Sequence, residues 1–285
     1  MFLCAALRGM IVAGIASRHG SDPLANPGVT SGVTAQRCEG DAAGAQDESL
    51  ATEVPVAMQY NGRSQAVMLA TPADLEDFAV GFSVTEGIVR RAAEVVLLAQ
   101  EWTRNGVVLD MRIPELRFAL LETRERSMAG RTGCGLCGTA TLEAAIRPVR
   151  RVDPHGDCAD RQSLLDGLQR LTTMQPLNEA TGAVHAAALM TTDGAFVVRE
   201  DVGRHNAIDK VAGAVLRSGD VPHTLLVTSR ASYEVVHKAA EIGCRLVAAI
   251  SAPTALAVQL ARDAGITLVA WARPPRLTVY SGALR

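Results

Sequence analysis

Two cysteines, Cys134 and Cys137, stand two residues apart in GRTGCGLCG, residues 130–138. Such a pair supports three chemistries: half of a zinc site, a redox disulfide, or sulfur carried on a thiol. A structural zinc needs four ligands. The remaining cysteines, at 4, 38, 158 and 244, come singly, and no H-x₃₋₅-H follows, so zinc would have to borrow a distant side chain such as His185. A thioredoxin-like disulfide needs a strand-to-helix junction in a thioredoxin pattern, whereas hairpins surround this one. Sulfur carriage fits the local chemistry better. Gly133, Gly135 and Gly138 leave the thiols accessible and the backbone unhindered, and Arg124, Arg126 and Arg131 supply charge that favours thiolate. A thiolate can attack the outer sulfur of a donor's persulfide and keep it as Cys–S–SH. A second cysteine within reach can then expel or relay that sulfur.

A second group of residues has the chemistry of anion binding. After the apolar run AFVV come Arg199 to Asn206, including Arg204, His205 and Asn206. After TLLV come Thr228, Ser229 and Arg230, and after RLVAAI comes Ser251. After ITLVA come Trp271, Ala272, Arg273, Pro274, Pro275 and Arg276. Each apolar run reads as a strand. Ligands of open α/β sheets bind beyond the carboxyl ends of such strands, where helices begin. Hydroxyls, backbone N–H groups and arginines there suit phosphates, and Trp271 offers a face for a base. The expected ligand is large, anionic and partly aromatic, as a nucleotide is. Capping hydroxyls and surface arginines in ion pairs are the plain alternative for any one turn. Four such turns on one edge favour the site. His205 reads either as a ligand contact or as a satisfied turn histidine. No G-x-G-x-x-G follows any of these strands, and no P-loop lysine pattern is present, so neither NAD chemistry nor ATP hydrolysis is indicated. Nucleobase deamination wants H-x-E followed by P-C-x-x-C. Here Ala187 stands in the glutamate's place two residues after His185, and the cysteine pair precedes the histidine.

The elements that must position these residues follow from the hydrophobic pattern. Residues 1–48 are expected as a disordered extension. MFLCAALRGMIVAGIAS is apolar but interrupted by Arg8, too short to span a membrane, and residues 18–47 show no periodicity. Residues 49–150 form a smaller α+β lobe that carries the Cys-x-x-Cys loop. Hairpins turn at Asn61-Gly62 and Asn105-Gly106, and Thr71 with Pro72 opens a helix over LEDFAVGFSVTEG. A short helix is expected over TLEAAIRPV. RRVDPHG, residues 150–156, marks the lobe boundary. Residues 151–285 alternate strands and helices, after a hairpin at Asp193-Gly194, and so predict an α/β lobe with a mostly parallel sheet. The chain has 285 residues, 48% of them hydrophobic, ample for a core. A net charge of −2 gives no field that would draw nucleic acid or an anionic membrane. The scattered cysteines are no secreted disulfide framework, and a cytoplasmic setting is expected. Positive charge is almost all arginine, with Lys210 and Lys238 the only lysines.

EVPVAMQYNG, VMLATPADLEDFAVGFSVTEGI, GRTGCGLCG, TGAVHAAAL, VREDVGRHNAIDKVAGAVL, TSRASYEVVHKAA and SAPTALAVQLARDAGITLVAWAR together resemble the FdhD family, formate dehydrogenase accessory proteins or sulfur carriers. The resemblance covers about residues 50 to 282. It implies that a cysteine desulfurase supplies a persulfide, with Cys134 as carrier and Cys137 as the second essential thiol. The acceptor is then the molybdenum or tungsten bis(molybdopterin guanine dinucleotide) cofactor, bound as substrate at Trp271 to Arg276, where a GDP-like nucleotide would also fit. No metal of the protein's own is implied. The apo-form of formate dehydrogenase is the implied client. A cytidine-deaminase-like three-layer C-terminal lobe and a homodimer are implied as well. Ala183 and Ser229 depart from glycines common in the family, and Pro274-Pro275 removes two N–H donors from the cofactor segment. A non-catalytic chaperone for the cofactor is the alternative, with a zinc-dependent deaminase behind it.

Overall fold

The structure, a computed structural model, describes residues 25–40, 42–126, 148–152 and 160–285. The cysteine pair, the helix expected after it and most of RRVDPHG lie outside the described residues.

The three Asx-Gly turns fold as their chemistry requires. Val54–Tyr60 (β3) and Arg63–Ala70 (β4) pair antiparallel around Asn61-Gly62, and both of those residues have positive φ. Val96–Thr103 (β5) and Gly106–Arg112 (β6) pair around Asn105. β3 runs parallel to β6, giving a four-stranded sheet in the order β4-β3-β6-β5. Glu115–Arg126 (α2) follows it. Alternate residues Val56, Met58 and Tyr60 of β3, with Val107, Leu109 and Met111 of β6, form its buried face.

His185–Thr191 (β7) and Phe196–Asp201 (β8) form the hairpin predicted at Asp193-Gly194. They join Pro222–Val227 (β9), Leu246–Ala249 (β10), Thr267–Arg273 (β11) and Arg276–Ser281 (β12) in a six-stranded sheet, order β12-β11-β10-β9-β7-β8. The sheet is mixed, which corrects the mostly parallel expectation. β9, β10 and β11 are parallel, because helices connect them. β7 meets both β8 and β9 antiparallel, and β12 meets β11 antiparallel. The β7–β8 and β11–β12 connections are only a few residues long, and such links can only turn a chain back on itself.

Arg161–Thr173 (α3) covers one face of this sheet. Its Leu164, Leu168 and Leu171 meet Ala186 and Ala188 of β7. Pro176–Thr181 (α4) follows. Arg204–Ser218 (α5), Tyr233–Glu241 (α6) and Ala255–Ala264 (α7) cover the other face, where Ala187 and Leu189 point. Leu75–Thr85 (α1) fills the layer between α5 and the four-stranded sheet and is buried along nearly its whole length. It approaches α5 backbone to backbone. A Cβ on Gly81 would sit 1.7 Å from the Asp209 carbonyl oxygen, and one on Gly213 1.8 Å from that of Asp77. One hydrophobic core therefore runs from Met58 through Phe78 to Val211 and Leu225, and the two expected lobes share it.

Two local expectations are corrected. Residues 30–51, most of them assigned to a disordered extension, contain Thr30–Glu39 (β1) and Ala42–Ala51 (β2), an antiparallel hairpin. Both faces are largely exposed, so no hydrophobic period marks it. Cross-strand Thr34–Asp47 and Arg37–Glu48 contacts, at 2.8 and 3.2 Å, tie it instead. Thr71 does not cap α1, which starts after Asp74 in a left-handed conformation. The Thr71 N–H donates to Asp201, 3.0 Å, and its hydroxyl accepts from the Val202 N–H, 3.1 Å.

Candidate anion-binding edge

The parallel strands end side by side, and the loops after them are stitched together through the backbone. Ala231 N–H donates to Ala252, Thr254 N–H to Ala231, and Trp271 N–H to Ser251. Thr228, Ser229, Arg230, Ser251 and Trp271 are thereby brought to one edge, as predicted. β8 is antiparallel to β7, which is antiparallel to β9, so β8 ends at this edge and α5 begins there. Thr228 exchanges hydrogen bonds with Ala186, next to His185 at the start of β7. Among the described residues, neither α5 nor α6 has a side-chain cap, so their first-turn N–H groups remain for another acceptor.

Trp271 to Arg276 is not a helix start: it comprises the end of β11, the Pro274-Pro275 link, whose peptide is cis, and the first residue of β12. Trp271 has a φ of 51° and is 46% exposed. The Arg273 guanidinium lies 5.7 Å from the Trp271 ring centre, and its Nε donates to the Ile250 carbonyl, 3.2 Å. Arg161 reaches the Pro275 carbonyl from α3. Ala272 is buried against the α3 layer, so its side chain is closed to a ligand. Ser229 is buried too, with its hydroxyl on the Arg230 carbonyl.

Some arginines of the described residues are held in ion pairs, and others, at this edge and also elsewhere (Arg104, Arg112 and Arg245 among them), are not. Arg199 is paired with Asp77, Arg217 with Glu76 and Asp77, and Arg117 with Glu94. Among the described residues, Arg204, Arg230, Arg273 and Arg276 have no carboxylate within ion-pair distance. An anion would supply what they lack.

Asn206 does not belong to the edge. Its amide is buried and donates to the Leu69 carbonyl and to Asp201, at 2.8 and 2.9 Å. Asp201 also accepts from Gly203 N–H and pairs with fully buried Lys210, 2.6 Å away. Lys238 is buried as well, bonded to Asp209, Glu86 and Thr85 at 2.8–3.1 Å. Both lysines of the chain thus serve internal ion pairs, where a compact ammonium on a flexible stem suits several acceptors. Burial lifts the Asp209 carboxyl to about 6, with Lys238 opposing. Burial also works against the Lys238 ammonium, yet Asp209 and Glu86 outweigh it and raise its pKa. The carboxylates, amide and lysine in REDVGRHNAIDK are therefore mostly structural. The lysine partners carry no local signal: Lys210 reaches Asp201 from the next helix, and Lys238 reaches Asp209 and Glu86 from a later one. Glu200 accepts the Leu177 and Asn178 N–H groups.

His205, in the first turn of α5, keeps its Nε2 buried without a hydrogen-bond partner among the described residues. Burial, then the charges of Lys238 and Arg204, push its pKa down to about 4. His185 is half-buried, and burial followed by Arg204 lowers its pKa. Ala187, at the position a deaminase would give to glutamate, is fully buried in the core. A separate cleft of about 540 Å³ lies along β8, between Thr71, Asp74, Met174 and Leu177. Of the stretch read as anion-binding, only Arg199 and Glu200 line it, and Arg199 is already paired with Asp77.

Fold and edge together define the class: a mixed α/β protein with an arginine-lined, aromatic-faced rim at the ends of three parallel strands. The chain belongs to the FdhD/NarQ family, whose model matches residues 51–285. It is 50% identical over 244 residues to a Cupriavidus necator protein named sulfur carrier protein FdhD, covering 82% of each chain. A Xanthomonas euvesicatoria protein of the same name is 47% identical over 251 residues, 87% of this chain and 89% of that one. A crystal structure of a protein described as a formate dehydrogenase accessory protein, from Desulfotalea psychrophila, shares the fold. Its TM-score is 0.67 at 24% identity, over 89% of this chain and 97% of that one. All of the β1–β2 hairpin but its last residue, Ala51, precedes the family match.

Proposed function

We propose that this protein is a sulfur carrier that moves persulfide sulfur from a cysteine desulfurase to a molybdenum or tungsten bis(molybdopterin guanine dinucleotide) cofactor, for the benefit of formate dehydrogenase. The observation that carries the reading is the gathering of Trp271, with the Arg273 guanidinium near its ring, and the Arg230 and Ser251 loops at one edge of the sheet, in a chain half identical to a protein named as a sulfur carrier. The Cys134 thiolate attacks the terminal sulfur of the donor persulfide. A sulfur–sulfur bond forms on Cys134, the donor's bond breaks, and the donor cysteine leaves as thiolate. In the second step the Cys137 thiolate attacks the Cys134 sulfur and expels the outer sulfur as hydrosulfide toward the bound substrate. The two cysteines supply the two electrons and end as a disulfide, which a cellular dithiol reduces. Arg204, Arg230, Arg273 and Arg276, with the uncapped starts of α5 and α6, would hold the substrate's phosphates, and Trp271 would face a base. The homodimer and the deaminase-like lobe rest on the family resemblance and the cytoplasmic setting on the scattered cysteines, and all three belong to this proposal.

Intact-mass spectrometry after incubation with a desulfurase and cysteine tests the carrier role. The expected result is a gain of one sulfur atom that Cys134→Ala abolishes, with loss of dehydrogenase activation. A Cys134→Ala protein that still activates the dehydrogenase would leave a cofactor chaperone in place of a carrier.

A further inference from the structure

We infer that anion binding at this edge draws a proton onto His205, whose imidazolium then ties the first turn of α5 to the first turn of α6 through Glu234. The inference rests on the edge being the substrate's phosphate site, as proposed above.

The geometry is that of an ion pair not yet closed. His205 Nε2 lies 3.9 Å from Glu234 Oε2, beyond hydrogen-bond length. That oxygen is already held by the Ser232 hydroxyl, 2.8 Å away, so the carboxylate has a fixed position. A buried ring nitrogen without a partner carries a desolvation cost, and protonation would remove it by giving Glu234 a donor.

The surrounding charges explain why the pair stays open. From its own helix the ring faces Arg204. From α6 it faces Glu234 and Lys238, and from the end of α1 Glu86. Asp209 meets Lys238 on the other side. Burial first, and then the two cations, hold the imidazole neutral. A phosphate beside Arg204 would cancel part of that positive field, and Glu234 and Glu86 would then favour the imidazolium. The sign follows from linkage. The ring's pKa is higher in the complex than in the free protein, so the complex holds more protons between the two values. Binding therefore strengthens as pH falls through that window.

Titration calorimetry of the full-length protein with GDP, at pH 6 in buffers of different ionisation enthalpy, measures the proton uptake. GDP titrates in the same range, so His205→Gln is measured in parallel. Wild type should take up about half a proton more per site than the variant, and its affinity should fall about twofold more between pH 6 and pH 8. Glu234→Gln should lower the uptake toward that of His205→Gln. Equal uptake in wild type and His205→Gln overturns the inference. A His205 ring-proton NMR titration tests the same point without variants: GDP should raise the midpoint, and an unmoved midpoint overturns it. Binding without proton uptake would sink this inference alone, whereas no GDP binding at all would sink the site reading as well.

Discussion

Replacing Lys238 with Met tests the buried charge network at its centre. The substitution keeps the stem's volume but removes the ammonium that faces Asp209, Glu86 and Thr85. Asp209 is then left in the core with the Thr85 hydroxyl donating to it and no cation beside it. Breaking a buried pair from one side typically costs about 3–5 kcal/mol. The pH dependence separates this electrostatic cost from a packing defect. In the wild-type fold Asp209 titrates near 6, above the ordinary aspartate value of about 3.9, so the folded state holds the extra proton between those values. Its contribution to stability is therefore greatest below about pH 4 and declines as pH rises through 6. Without Lys238 the carboxyl titrates still higher, and the decline continues above pH 6. The wild type has finished losing stability from this group there, so the gap between the two proteins should widen at up to about 1.4 kcal/mol per pH unit. Urea unfolding at pH 6 and pH 8 should show the variant losing about 2 kcal/mol more at the higher pH. Adding Asp209→Leu should recover most of the loss, since an apolar pair of similar size avoids the desolvation cost. A loss independent of pH, unrelieved by the second change, would refute the reasoning.

Further outcomes follow from described contacts. Gly81→Ala forces a methyl group into the Asp209 carbonyl across the α1–α5 contact, and should cost about 3 kcal/mol or more in thermal denaturation. Gly44→Ala, in open space on the outer hairpin, should change stability by no more than about 0.5 kcal/mol. Trp271→Ala should weaken GDP binding by about 10- to 100-fold through lost stacking, read by calorimetry. Because the ring is half exposed, the melting temperature should change little, and an unchanged affinity would remove Trp271 from the ligand site.

The features legible in the residues are those that depend on near neighbours. Asn61-Gly62, Asn105-Gly106 and Asp193-Gly194 each mark a hairpin through their own backbone preference, and the strand–helix alternation after Asn206 follows from hydrophobic period alone. The edge is legible for the same reason, since ligand loops follow their strands directly. The features that escape the sequence depend on distance along the chain. Thr71 meets Asp201 across 130 residues, and Lys238 meets Glu86 across 152. Nothing local distinguishes a threonine that caps a helix from one that braces a remote turn. Asn206 is misread because it adjoins Arg204 and His205 at the edge, while a helical step turns its amide inward. The β1–β2 hairpin has no buried face to announce it.

The bare contact between α1 and α5 also bears on how such a chain could be altered by recombination. Splicing a relative's segment containing α1 onto this chain's α5 would unite Asp77 with a new Arg199 and Arg217, Thr85 and Glu86 with a new Lys238, and two glycines whose spacing must agree to within a methyl group. Unless all of these travel together, the graft inherits stranded charges or colliding backbones. A viable chimera in this fold would have its crossover points outside the span that holds these partners, or would carry both sides of every pair from one parent.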